Sequence, residues 1–162
     1  MEVFRISAER HSSTLTTSGR ENRWNKAGEM VLYFGSSRSL STLEMIVHRT
    51  AIKPLEPHKI TIVSIPDDDK LIHQIRIDEL PINWRTLGAY YTLQQIGSDW
   101  YNSKKSLILK IPSAIIIQEY NYVINTEHPA FKDKVLLIGQ EDYFWDDRLF
   151  NLFKNKFFEN KY

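Results

Sequence analysis

Three side chains of the kind that hold and act on charged substrates stand close together early in the chain: Arg23, Tyr33 and Glu44. A guanidinium presents a planar fork of donors to phosphate or carboxylate oxygens. A phenol joins a flat aromatic face to a hydroxyl donor, and a carboxylate can offset positive charge that develops during a reaction. Asn25 adds an amide beside Arg23, and Ser113 adds a hydroxyl after Pro112. Each of these also has an ordinary role. Arg23 can pair with Glu21 or Glu29, Tyr33 can pack beside Phe34, and Ser113 can close a turn.

Other chemistries are narrowed by what the 162 residues lack. Without cysteine there is no thiol nucleophile, no disulfide and no sulfur-ligated zinc or iron–sulfur centre. His11, His48, His58, His73 and His128 never form a one-turn pair with a nearby acid, and the aspartates at 67–69 lack calcium-loop spacing and read as a solvated turn. No metal is expected. Phosphate-loop, dinucleotide-fold and hydrolase-elbow glycine motifs are absent. Lys+Arg 21 against Asp+Glu 20 leaves a net charge of +1, so direct nucleic-acid binding through phosphate neutralisation is not expected. The apolar runs at 107–109 and 114–117 fall far short of the roughly 20 residues that span a bilayer. The opening Met1-Glu2-Val3-Phe4-Arg5 has an early acid and no apolar signal core, so a mature, cytoplasmic chain is expected.

The elements that must position these side chains are legible in outline. With 42% hydrophobic and 25% charged residues, the chain reads as one soluble domain over 1–162. Period-two and β-branched patterns predict strands at 3–6, 30–34, 59–65, 106–110, 114–117, 120–125, 134–138 and 143–145. Ser36 and Ser37 offer an N-cap to a helix whose Leu40, Leu43, Ile46 and Val47 face the core and which ends before Pro54 and Pro57. Glu44 lies at the border of that apolar face, where it is either half-buried with a partner or a flank charge. A second helix is predicted within 81–103, with Leu87, Tyr90, Tyr91, Leu93, Ile96 and Trp100 recurring near helical spacing and Gly97 as a weak point. Trp24 and Trp100 are assigned to the core. The amphipathic segment 149–162 is expected to dock on the domain itself, with a dimer or partner contact as the sharper alternative. Few helices, about seven short and mostly antiparallel strands and no regular βαβ alternation make this an α+β chain.

Taken in order, Arg23-Trp24-Asn25, Gly28, the strand ending in Tyr33, the Leu43-Glu44 helix, Ile111-Pro112-Ser113-Ala114, Asn121-Tyr122-Val123-Ile124-Asn125 and His128-Pro129 resemble the RES domain, named for its Arg, Glu and Ser. The likeness runs from Arg5-Ile6 to Trp145-Asp146-Asp147-Arg148-Leu149. It implies an ADP-ribosyltransferase-like fold and the toxin of a type II toxin–antitoxin pair, partnered by an Xre-family antitoxin. The implied substrate is NAD+, cleaved at the nicotinamide–ribose bond by hydrolysis or phosphorolysis. Transfer of ADP-ribose to a specific protein is the alternative, and a non-catalytic interaction module is a further one. A homodimer is left open.

By position, the family's catalytic set falls on Arg23, Tyr33, Glu44 and Ser113, with Arg23, Asn25, Tyr33 and Ser113 contacting NAD+. The implied roles are pyrophosphate binding for Arg23, stacking on nicotinamide for Tyr33, and support of the ribose cation for Glu44. Ser113 would bond the carboxamide or orient Glu44. Two positions depart from the family: Glu21 and Asn22 replace glycines before the arginine, and Asn125-Thr126-Glu127-His128 replaces an Asn-Pro-x-His turn.

Overall fold

Alternating apolar residues build strands that pair almost entirely antiparallel. In the computed structural model, which describes residues 1–48 and 53–151, these are β1 (Glu2–Ala8), β2 (Val31–Gly35), β3 (His58–Ser64), β4 (Ile72–Gln74), β5 (Ile108–Pro112), β6 (Tyr120–Asn125) and β7 (Leu136–Tyr143). They form one seven-stranded sheet in the order β4-β5-β6-β2-β1-β3-β7, with only β4 and β5 parallel. Four helices accompany it: α1 (Arg38–His48), α2 (Tyr90–Ser103) and the single turns α3 (Phe131–Lys134) and α4 (Arg148–Asn151). The α+β expectation holds.

The pleat divides each strand between two faces. On one face Val31, Leu109, Ile111 and Val123 meet Trp24, Trp84, Leu93 and Trp100, which places α2 over β2, β5 and β6. Phe4, Ile6 and Ile60 meet Trp145, Met45 and Ile46 of the α1 side. The opposite face buries Val3, Leu32, Phe34, Val63, Ile108 and Ile124 under Val135 and Phe131. Trp24 and Trp100 are therefore core residues, as expected.

The middle of the sheet opens. β1 pairs with β3 along its whole length and β2 pairs with β6 along its whole length, yet β1 and β2 meet only at Phe4 and Gly35. Ser41 Oγ of α1 lies 2.9 Å from the Phe4 carbonyl and 2.9 Å from the Ser37 carbonyl, tying the helix to that junction. Beyond it the two strands part.

Several elements differ from the sequence reading. Residues 114–117 form a loop instead of a strand, because Ser113 Oγ accepts the Ile115 and Ile116 amides at 3.1 and 3.2 Å and curls the chain. β4 escaped notice because it has three residues, of which His73 and Gln74 are exposed and carry no apolar alternation. Residue 143 ends β7, and no separate strand forms at 143–145. The second helix starts at Tyr90, behind a 3-10 turn at Leu87–Ala89. α1 begins as expected, with Leu40 N–H donating to Ser37 Oγ at 3.0 Å. Its buried stripe, however, is Leu40 and Ser41, while Leu43 is exposed and Val47 is 60% exposed. In segment 149–162, Phe150 packs edge-on against Trp145 at 5.5 Å, and 152–162 lies outside the described residues. No helix among the described residues is long and apolar enough to cross a membrane.

Candidate active site

The arginine loop is built from its own backbone. Gly19 and Gly28 both take positive φ, 64° and 88°, which a side chain resists. Gly28 N–H donates to the Gly19 carbonyl at 2.8 Å and closes the base. Inside it, Asn22 and Asn25 exchange backbone bonds at 3.0 and 3.3 Å. Asn25 is 1% exposed, and its Nδ2 donates to the carbonyls of Arg20 at 2.9 Å and Lys26 at 3.0 Å. Where the family has glycines, Asn22 Oδ1 accepts the Arg23 amide at 2.8 Å and Gln94 Nε2 holds the Asn22 carbonyl at 2.9 Å.

Tyr33 is central in β2, opposite Val123, and not at the strand's end. Its hydroxyl donates to Asn25 Oδ1 at 2.8 Å and accepts the Trp24 amide at 3.3 Å, so it pins the arginine loop to the sheet. Burial pushes this phenol well above its ordinary range, which keeps it a neutral donor. Arg23 takes neither of its sequence-adjacent acids. Its Nη1 donates to the Trp84 carbonyl at 2.9 Å and its guanidinium lies 4.7 Å from the Tyr90 ring centre. Glu29 turns instead to the Lys26 amide, at 2.8 Å.

Glu44 resolves as half-buried and partnered. Ser113 Oγ donates to its Oε1 at 2.8 Å and Asn121 Nδ2 donates to the same oxygen at 2.6 Å. Ser113 is 0% exposed, and it carries both the loop amides and this carboxylate. Its single proton goes to Glu44. Glu44 reaches the site because α1 turns its Leu40–Ser41 side to the sheet, placing the residue three after Ser41 alongside it.

Arg23, Tyr33 and Glu44 border a cleft of about 850 Å³ where β1 and β2 part, large enough for a cofactor-sized molecule. Ile6 and Ala8 of β1 line it, as do Tyr33, Arg23 and Tyr90, with Glu44 and Asn121 also on its lining. Ser113 and Asn25 stand behind that lining. Arg20, Arg23 and Arg85 also border it, and none has a carboxylate within 4.0 Å among the described residues. Arg85 Nε donates to the Ala114 carbonyl at 2.8 Å, which ties it to the loop after β5. From sequence Asn121 counts only as part of the family-like stretch 121–125 and Tyr90 only as a helix position, neither with a role at the site, and Arg85 is not noted; for Asn121 the further signal is a polar residue in period two with Val123 on a buried strand. Among the described residues, no cluster of His, Asp or Glu is arranged to hold a metal.

A family model described as "RES domain" matches residues 2–146. The "Toxin Res" of Yersinia enterocolitica is 32% identical over 153 residues, covering 92% of this chain and 99% of that protein. The "Toxin Res" of Photorhabdus laumondii is 30% identical over 127 residues, covering 78% of this chain and 80% of its own. The "Prs ADP-ribosylating toxin" of a Sphingobium species is 33% identical over 112 residues, covering 68% of this chain and 69% of its own. With a match across the whole sheet and every element of the cleft, the chain belongs to the RES domain family.

Proposed function

We propose that this chain is the toxin of a type II toxin–antitoxin pair and that it cleaves NAD+ at the nicotinamide–ribose bond, with water or phosphate as acceptor. The observation that carries the reading is Glu44, a carboxylate held by two donors on one oxygen at the edge of an arginine-bordered cleft. Kinship to proteins named as toxins, one of them ADP-ribosylating, supports both the toxin role and NAD+ as substrate.

The chemistry suits these residues. Nicotinamide in NAD+ is a cationic pyridinium, so the C–N bond breaks with its electron pair going to the ring nitrogen and the ring leaves neutral. No proton donor is required. The ribose is left as an oxocarbenium ion, which a nearby carboxylate stabilises directly or through the 2′-hydroxyl. Glu44 takes that role. Arg23, oriented by the Trp84 carbonyl and the Tyr90 ring, offers its remaining donors to the pyrophosphate. Tyr33 gives the nicotinamide an aromatic wall and holds the arginine loop through Asn25. Water or phosphate then attacks the ribose cation, and the attacking group's proton passes to solvent or to Glu44.

Transfer of ADP-ribose to a protein is the second reading, favoured by the name of the Sphingobium relative. Both share the bond-breaking step. The partner would be an Xre-family antitoxin, and the site of action the bacterial cytoplasm.

The test follows NAD+ and nicotinamide with purified protein, with and without phosphate, and follows labelled ADP-ribose on lysate proteins. Glu44→Ala should lower turnover on the order of 100-fold or more while leaving the fold intact. Full activity in that variant refutes the assignment. Turnover only with a labelled acceptor selects the transfer reading.

A further inference from the structure

Glu44 is held asymmetrically. Both of its donors, Ser113 Oγ and Asn121 Nδ2, meet Oε1, and among the described residues nothing in the chain bonds Oε2. The two anchors differ in origin. Ser113 sits in the loop after β5, whereas Asn121 lies on β6, a strand paired on both sides, with Asn121 opposite Gly35 of β2 and Ile111 of β5. The glycine opposite lets α1 itself come close: a Cβ on Gly35 would lie 2.6 Å from Ser41 Oγ and 3.2 Å from the Ser41 nitrogen, so the helix seats low enough for Glu44, three residues on, to meet the amide. The amide has only one orientation that works: with Oδ1 turned toward the carboxylate, two acceptors would face each other.

We propose that Asn121 is a positioning residue that, with Ser113, fixes Oε1 so that Oε2 is the oxygen presented to the reacting ribose. This rests on the assignment of Glu44 above. A bond of this length between a neutral donor and a carboxylate is of the charge-assisted kind, and its loss frees the carboxylate to rotate away from the substrate. Among the described residues the side chain of Asn121 bonds Glu44 alone, so its removal should act on the chemical step more than on NAD+ binding.

Two measurements test this. In nitrogen–proton correlation spectra, one side-chain amide proton of Asn121 should resonate downfield of exposed asparagines and return to their range in Glu44→Ala. In kinetics, Asn121→Ala should lower kcat on the order of 10- to 100-fold with KM within about twofold. Asn121→Asp, almost isosteric, should lose more, because it sets a second carboxylate against Oε1. Unchanged kcat in both variants, a loss carried by KM, or absence of the downfield amide overturns the proposal. If the amide signature is present but the wild type neither consumes NAD+ nor transfers ADP-ribose, the pair stands and the functional reading alone falls.

Discussion

Replacing Gly97 by alanine sets two physical effects against each other. Helix propensity alone favours the change, since alanine in a helix interior is better than glycine by about 1 kcal/mol. Packing reverses it. A Cβ on Gly97 would lie 1.8 Å from the Trp24 carbonyl oxygen, 2.7 Å from its carbonyl carbon and 3.2 Å from its Cα. Real Cβ atoms essentially never approach closer than 3.0 Å, so α2 and the arginine loop must separate by about 1.2 Å. All three atoms are backbone, so no side chain can rotate aside. Overpacking of this kind costs about 3 kcal/mol at the upper end of its usual range, leaving a net destabilisation of about 2 kcal/mol. For a domain of this size that lowers Tm by about 4–8 °C. Urea unfolding should show a lower midpoint with an unchanged slope. Because Arg23 and Asn25 flank Trp24, the same shift should raise KM for NAD+. A variant as stable as wild type, or more so, would refute this account of how α2 seats the arginine loop.

Three other outcomes follow. Ser113→Ala leaves two loop amides and Glu44 without their shared partner; it should lose about 2 kcal/mol of stability in urea and about tenfold or more in kcat, and an unaltered kcat would detach Ser113 from Glu44. Tyr33→Phe strands Asn25 Oδ1 and the Trp24 amide, so it should cost roughly 1–3 kcal/mol and raise KM for NAD+ more than it lowers kcat; the reverse split would give the hydroxyl a direct part in the reaction. Since burial raises the Tyr33 pKa in the folded state, its contribution to stability is complete below about pH 10 and is lost as pH rises further. Ultraviolet tyrosinate titrations of wild type and Tyr33→Phe should therefore coincide until the protein unfolds in alkali.

The relatives' likeness spans the cleft, yet the residues that fix its geometry come from distant parts of the chain. Ser113 is 69 residues and Asn121 is 77 residues from Glu44. Local patterns say nothing about such pairs, which is why Glu44 stood open between a flank charge and a partnered carboxylate. The α1 stripe shows the same limit. Leucines at 40 and 43 and Val47 make a plausible apolar face, but the helix is docked by Ser41 on the Phe4 carbonyl, at the point where β1 and β2 join. A polar bond to the sheet decided the rotation, and Leu43 and Val47 were left outward.

By itself the sequence determined what depends on near neighbours: the α+β class, the longer strands through their alternation, the Ser37 cap, and the family likeness carried by the order of Arg23, Tyr33, Glu44 and Ser113 along the chain. Tertiary structure alone decided the rest. It turned Gly97 from a flaw in a helix into the contact that admits Trp24, and it brought Ser113 and Asn121 to Glu44. The physical reason is common to both: hydrophobic periodicity is a local property of the chain, whereas a steric fit or a hydrogen-bond partner far along the sequence exists only once separate segments meet.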